Sequence, residues 1–499
     1  MNHETSANKL TASTWPSQGA SLVDDLVLLI LDFCDVAAII AMSETNKAFN
    51  RLASSKSVWL TAVTRVVRRG FVHREEGEVL SELSLEQLVD KARRAVRGPQ
   101  TWALDRLGPA VVSREISLPI EQGAPRTCLE VKLLPGGEYL FHNHWDLDCW
   151  NIPERKIIWT YKCCVENARV TTLAAQLTDT PDQAVVMACQ RIVNDLDVNR
   201  NCVEILTLNL KTGTSQSMLV ARVPRGWGTS PYEHPQICGD FAAVALTTNV
   251  VLFNWREGTY VTVDNPESSH HFRRIALAPG YAILVLSLPE HENEGGGENI
   301  DTLVLSPLTV LPWAPVDPVN PPKNVTGASD LLRVHSYALP RREEPTYDGI
   351  PQPHTNVAHI YISVHEHPLR NDLFRLWIHI AHPAILLRYD LDLRGSHPTL
   401  QLHSTTNTAR DWGVHRCGAS FAGHTLTVLQ SGRTSISPGG HYLTVLQAET
   451  LKLMPPGAQR LEDGRGIELH GHRGFLDMSA YGGALSYLTD DSLRVRYYQ

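Results

Sequence analysis

No Cys-x-x-Cys occurs in these 499 residues, and the nine cysteines are scattered and odd in number. That excludes a disulfide framework and a zinc knuckle. Reduced thiols imply a cytoplasmic or nuclear location. There is no basic footprint either: the net charge is −8, so nucleic acid is not the expected partner. The run Arg65-Val66-Val67-Arg68-Arg69 is short enough to be a solvated helix face. The first twenty residues are polar and lack the charged-then-apolar layout of a signal peptide, and 1–20 is expected to be disordered. The most apolar segment, 22–42, carries Asp24, Asp25, Asp32 and Asp35. Each would cost about 2.5–3.5 kcal/mol near a bilayer centre, which excludes a membrane span. Finally, G-x-S-x-G, P-loop, H-E-x-x-H and G-x-G-x-x-G are all missing, so no catalytic residue and no cofactor is expected.

What is present begins with helices. Asp24-Asp25 supply first-turn charge before Leu26-Val27-Leu28-Leu29-Ile30-Leu31. Asp35 is placed to cap a second helix over 36–42, and Thr45 or Ser43 a third running through Phe49 and Leu52. A fourth, from Ser57, aligns Val58, Trp59, Ala62, Val63 and Val66 on one side. The run 26–31 is apolar on every side, whereas a surface helix needs one stripe. A module of some forty residues cannot bury that much within itself. Something else must cover part of it, either the rest of the chain or another protein.

The order of these residues resembles the F-box family pattern. Leu22, Asp24-Asp25, Leu26, Ile30, Leu31, Ile39-Ile40, Ser43, Lys47, Phe49, Arg51-Leu52 and Trp59 fall on its positions without a gap. Val23 stands where the family has Pro, and Thr45-Asn46 where it has Val-Ser or Val-Cys. The resemblance covers 21–69 and implies docking on a Skp1-like adaptor and, through it, a cullin. The docking surface it implies is Leu22, Val23, Leu26, Ile30, Ile39, Lys47, Phe49 and Trp59, with Trp59 also suited to packing inside the module. Next, 70–102 reads as a helical connector. It opens with a capping box at Ser84-Leu85-Glu86-Gln87 and is stopped by Gly98-Pro99. Trp102 then closes a Leu-Ser-x-x-x-Leu segment like those of fungal F-box proteins.

From about residue 110 the period shortens to that of strands. Apolar runs such as Val203–Leu208, Ala242–Leu246, Val250–Phe253 and Ile360–Val364 are separated by turn residues. One sub-pattern recurs, an apolar strand closed by Asn or Asp and another apolar residue. It appears as Trp150-Asn151-Ile152, Leu208-Asn209-Leu210, Phe253-Asn254-Trp255 and Tyr389-Asp390-Leu391, with a looser copy at Leu305-Ser306-Pro307. Pro-Gly turns at 135–137 and 438–440 each feed an apolar strand. This resembles a diverged WD40-like array. The expected fold is therefore a small all-α module followed by an all-β domain over 103–499, a β-propeller of seven blades with six or eight possible. A strand near Val111–Ile116 should pair with the last blade. The acidic segment 289–299 reads as a loop, and the Pro-rich 311–354 as an insertion.

Three pairs, His142/His144, His365/His367 and His470/His472, follow H-x-H spacing and could each aim two imidazoles one way from a strand. None has a further ligand at a dependable spacing, so no metal is expected. Asp240 and Asp411 read as turn caps, and Cys202 and Cys238 as buried. The leading expectation is a non-catalytic, monomeric substrate-recognition subunit of an SCF-type ubiquitin ligase, with the propeller binding a client protein and neither nucleic acid nor membrane involved. A non-ligase F-box scaffold and a propeller enzyme with a central-channel site are the alternatives.

Overall fold

The helical segment forms for local reasons visible in a computed structural model. It describes residues 24–75, 77–102 and 110–498, the last apart from connecting segments of which the longest are 121–129, 193–201, 223–232, 265–273, 290–298, 318–324, 352–359, 454–464 and 469–475. Helix α1 (Asp24–Phe33) starts on two carboxylates. Asp35 caps α2 (Val36–Ser43), its Oδ1 accepting the Ala38 N–H at 2.7 Å. The cap of α3 (Lys47–Ala53) is Asn46, whose Oδ1 accepts the Phe49 N–H at 2.9 Å. Thr45 and Ser43, expected in that role, donate their hydroxyls back to the Met42 and Ile40 carbonyls. They satisfy the end of α2 rather than the start of α3. Helix α4 (Lys56–Arg68) follows Ser55. Helix α5 (Leu85–Arg97) has the full capping box between Ser84 and Gln87 and ends at Gly98 with φ 67°, a backbone conformation that glycine adopts without a side-chain clash.

All five helices share one core, centred on Val27, Leu31, Ile39, Trp59, Val63 and Leu88. Segment 70–102, expected as a connector, is thus part of the same packed unit as the first four helices. Arg65 of α4 fastens the end of α1 by donating to the Cys34 carbonyl at 3.0 Å and to that of Asp32.

Beyond residue 110 the described residues form antiparallel sheets that follow one another along the chain. Sheet I holds β2 (Glu130–Leu133), β3 (Tyr139–Asn143), β4 (Leu147–Asn151) and β5 (Lys156–Tyr161), hydrogen-bonded in that order. Sheet II spans 168–222, sheet III 233–264, sheet IV 274–307, sheet V 360–407, sheet VI 414–468 and sheet VII 476–498. The first strand of the domain, β1 (Val112–Pro119), pairs with the last, Ser492–Tyr498, from Val112↔Tyr498 to Pro119↔Ser492. This is the pairing expected for Val111–Ile116. It joins the two ends of a domain of nearly 400 residues, and it makes β1 the edge strand of the last sheet, so the final strand is paired on both sides.

Neighbouring sheets pack face on face. Ile116, Leu118, Leu140, Trp150 and Val495 fill the space between sheets VII and I. Equivalent apolar layers lie between I and II, II and III, III and IV, and IV and V. The opening strands of sheets I to VI touch in succession, so they lie innermost. The Pro-rich segment, read as an insertion, takes part in this architecture. His335–Ala338 is the outer strand of sheet IV, and Ala314–Pro315 and Val325–Gly327 add to sheet III. Proline is tolerated there because these are edge positions.

The Asn/Asp sub-pattern has a structural cause. At the end of the third strand in sheets I, II and III an Asn carboxamide folds onto the following turn. Asn151 accepts the Glu154 N–H at 3.1 Å, Asn209 the Thr212 N–H at 2.9 Å and Asn254 the Glu257 N–H at 3.2 Å. The next residue then donates its N–H to the turn between the first two strands of the same sheet: Ile152 to Glu138, Leu210 to Asp182, Trp255 to Asp240, Leu308 to Gly280, Leu393 to Asp372 and Tyr498 to Gly483. The copy read at Tyr389-Asp390-Leu391 is therefore displaced by two, since Asp392-Leu393 holds the repeated position. The looser copy near Leu305 is displaced by one, to Pro307-Leu308.

Candidate functional site

The helical module sits on turns of this kind. It covers the turns of sheets V, VI, VII and I, the part of the domain where the chain's two ends meet. The Ala37 N–H donates to the Leu369 carbonyl at 3.0 Å, and the Asp35 Oδ2 accepts the Asn371 N–H at 3.0 Å, so one aspartate both caps α2 and holds sheet V. Phe71 meets the edge of Tyr481 at 4.7 Å, and both pack on Phe421 of sheet VI. Trp102 lies 5.0 Å from Tyr498. Gly70 (φ 75°) rests on Pro135, so near that a Cβ would lie 2.5 Å from its carbonyl carbon. Arg69 pairs with Glu366.

With one side of the module on the sheets, its free side is defined by α1. Val27 and Leu31 are 2% and 1% exposed and point into the helical core. Leu26, Leu29, Ile30 and Phe33 repeat at i, i+3, i+4 and i+7 and are 50%, 54%, 46% and 78% exposed. Side chains at that spacing lie on one face of a helix. Ile40 of α2 is also exposed. An apolar stripe that neither the module nor the β-rich body covers is the unusual feature here, because scattered exposed apolar residues are ordinary but an aligned row is not.

The family-implied docking residues divide accordingly. Leu26 and Ile30 lie on the uncovered stripe, Lys47 at the start of α3 is exposed, and Phe49 is half-buried. Leu22 and Val23 fall outside the described residues. Ile39 and Trp59 do not lie on the free side: they are 1% and 9% exposed and belong to the module's own core. For Trp59 this is the packing inside the module already expected, and for Ile39 the reason is geometric. In α2, Val36 and Ile39 share the inward face, so of the adjacent pair Ile39-Ile40 it is Ile40 that turns outward. Leu29 and Phe33 were missed as members of the stripe, although their spacing from Leu26 and Ile30 was already in the sequence.

Chemistry-bearing residues elsewhere are mostly structural. Burial pushes the Cys149 and Cys189 thiols up and Cys238 to about 12, away from the reactive thiolate; Cys202 is buried as expected, whereas Cys238 is only partly so. Asp240 pairs with Arg256 at 2.8 Å in a turn, while Asp411 falls outside the described residues, as do His470 and His472. His365 bonds the Ala419 carbonyl through Nε2, joining sheets V and VI, and burial holds its imidazole down at about 4. His142 and His144 do acquire a third partner. His142 on β3 lies directly opposite Asp148 on β4, and His144 Nε2 is 2.8 Å from Asp148 Oδ2. Burial, then the neighbouring His144, holds His142 down at about 4, so it is neutral at pH 7.

No helix among the described residues is long and apolar enough to cross a membrane. No family model matches the chain, and no curated protein does. Among solved structures it is similar to the β-propeller domain of Myceliophteria thermophila Cps50 (Swd1), at 11% identity and a TM-score of 0.44, over 78% of this chain and 99% of that one. That overlap is loose, so the architecture rests on the pairings of this chain's own strands.

Proposed function

We propose that this chain is the substrate-recognition subunit of an SCF-type ubiquitin ligase, and that its β-rich body is a seven-bladed propeller. The observation that carries the first part is the α1 stripe of Leu26, Leu29, Ile30 and Phe33, bare on a module whose own core is already filled. A Skp1-like adaptor is the occupant. The F-box resemblance places its docking surface on this helix, and the module's opposite side is taken up by the sheets. The propeller reading is supported by seven sheets of four or more strands in chain order among the described residues, a two-stranded ladder at 346–351 apart, and by the touching opening strands and the pairing of β1 with the final strand.

Such a subunit performs no bond chemistry. It raises the local concentration of a client near a charged conjugating enzyme. Two domains joined by hydrogen bonds and apolar packing suit that task, because the contact holds the adaptor-facing stripe apart from the client-facing surface. The turns under the module are occupied, so the sheet ends away from it are the open surface for a client.

The test is co-purification of the full chain with a Skp1-type adaptor, comparing wild type with the Leu26→Asp/Ile30→Asp double variant. Retention by the wild type and loss by the variant is expected. An adaptor that ignores the wild type, or keeps both equally, overturns the proposal. Cullin in the same eluate separates the ligase subunit from a scaffold outside any ligase.

A further inference from the structure

We propose that His142, His144 and Asp148 form a binding site for a divalent transition-metal ion of the zinc class, on the side of the β-rich body away from the helices. Strand β3 leaves the helix-covered turn at 134–138 and runs to His144, which puts the cluster at the far end of sheet I. One ligand atom from each of the three residues can be chosen so that all lie within 4.8 Å of one another. This closeness follows from strand register. Val131, His142, Asp148 and Thr160 form one cross-strand row over β2, β3, β4 and β5, and His144 projects the same way as His142, two residues on.

Three features distinguish the cluster from a mere hydrogen-bonded pair. His142 is 4% exposed and its ring lies 4.9 Å from that of His144, yet neither ring nitrogen has a hydrogen-bond partner among the described residues. A buried imidazole normally satisfies at least one nitrogen. Asp148 is held by Thr160, whose hydroxyl donates to Oδ1 at 2.7 Å and leaves Oδ2 toward the histidines. That is the outer-shell support a metal carboxylate usually has. The donor set itself, two imidazoles and one carboxylate, matches three-ligand zinc-class sites with a fourth position for water or an incoming group. His144 is only partly buried, so that position can be reached from solvent.

The proton count closes without an added reagent. In the free chain His144 donates its Nε2–H to Asp148 Oδ2, while its Nδ1 accepts a long 3.4 Å contact from the Asp146 N–H. The ion takes the place of the hydrogen between Nε2 and Oδ2. The displaced proton moves to Nδ1, and the Asp146 N–H, at an exposed turn, passes to water.

The test titrates zinc chloride into chelator-treated full-length protein by calorimetry, with cobalt(II) as a spectroscopic substitute. One saturating equivalent and the visible absorption of four-coordinate cobalt are expected. His144→Ala and Asp148→Asn should abolish both. Thr160→Val, which removes only the supporting hydroxyl, should weaken zinc about 10–100-fold. The exposed His403→Ala should change nothing. Circular dichroism checks that each variant is folded, and His144→Ala, at a strand end, still decides the matter if Asp148→Asn is not. Absence of a saturable equivalent in the wild type, or zinc binding unchanged by His144→Ala and Thr160→Val, overturns the proposal.

Discussion

Helices α1 and α5 belong to one core and treat their outer faces in opposite ways. Helix α5 buries Leu88, Ala92 and Ala95 and turns Glu86, Asp90, Arg93, Arg94 and Arg97 away. Its one buried charge, Lys91, is matched by both oxygens of Glu78 at 2.8 Å. Helix α1 buries Val27 and Leu31 with equal completeness but turns four more apolar side chains outward. For α5 the chain supplies everything the helix needs. For α1 it supplies half. An apolar residue is informative about a partner only after the residues that serve the chain's own core have been subtracted, and Ile39, Trp59 and Leu31 fall on the subtracted side.

The strongest way to break this comparison is to unseat the whole module. Trp102 is 1% exposed and packs beside Tyr498 on the joining strand, so Trp102→Ala should cost about 3–5 kcal/mol in a denaturant titration. If it does not, the two regions are not one cooperative unit. Next comes a matched pair within α1. Leu31→Ala should cost about 2–5 kcal/mol, while Leu29→Ala should stay within about 0.5 kcal/mol. Equal losses would mean that the outer stripe serves the fold. The Leu26→Asp/Ile30→Asp variant should weaken adaptor binding by at least about 2 kcal/mol, roughly thirtyfold, with its melting temperature unchanged. Measuring both on one sample separates docking from folding.

The smallest effect concerns pH. His365 and His367, at the sheet V turn under the module, are held down at about 4 by burial above all. His73, which bonds the Gly482 carbonyl, is lowered for the same reason. A folded-state value below the unfolded one, near 6.5, means that the stabilisation is complete above that pH and drains away as pH falls toward about 4. Melting temperature should therefore drop over that window, and His365→Asn should flatten the slope. A slope identical to wild type would remove this histidine from the joint.

Much of this was readable from residue order. Asp35 and Ser84 announced their caps, and the Asn/Asp repeat announced third-strand ends. The strand near Val111–Ile116 could be matched to the chain's end because an unpaired first strand and a short last sheet need each other. Other readings failed where neighbours in space decide. Thr45 and Ser43 have the right chemistry for a cap, but their hydroxyls found nearer carbonyls in α2. Asp390 looked like the repeat residue, yet the turn at Asp372 selects Leu393. The Pro-rich stretch looked like an insertion because proline is poor in central strands, and it lies at sheet edges instead. His142 and His144 were visible as a pair, whereas Asp148 joins them only through the hairpin register.

By itself, the order of amino acids determined the periods, the caps, the change from helix to strand near residue 110 and the surplus of apolar side chains in 26–31. These depend on residues within a turn or two of each other. Only the tertiary structure decided which of those apolar side chains are spent inward, that the helices rest on the turns of sheets V, VI, VII and I, and that three donors meet at 142, 144 and 148. Those outcomes depend on contacts between residues up to some 400 positions apart, such as His73 with Gly482, and no local pattern encodes which distant surface arrives.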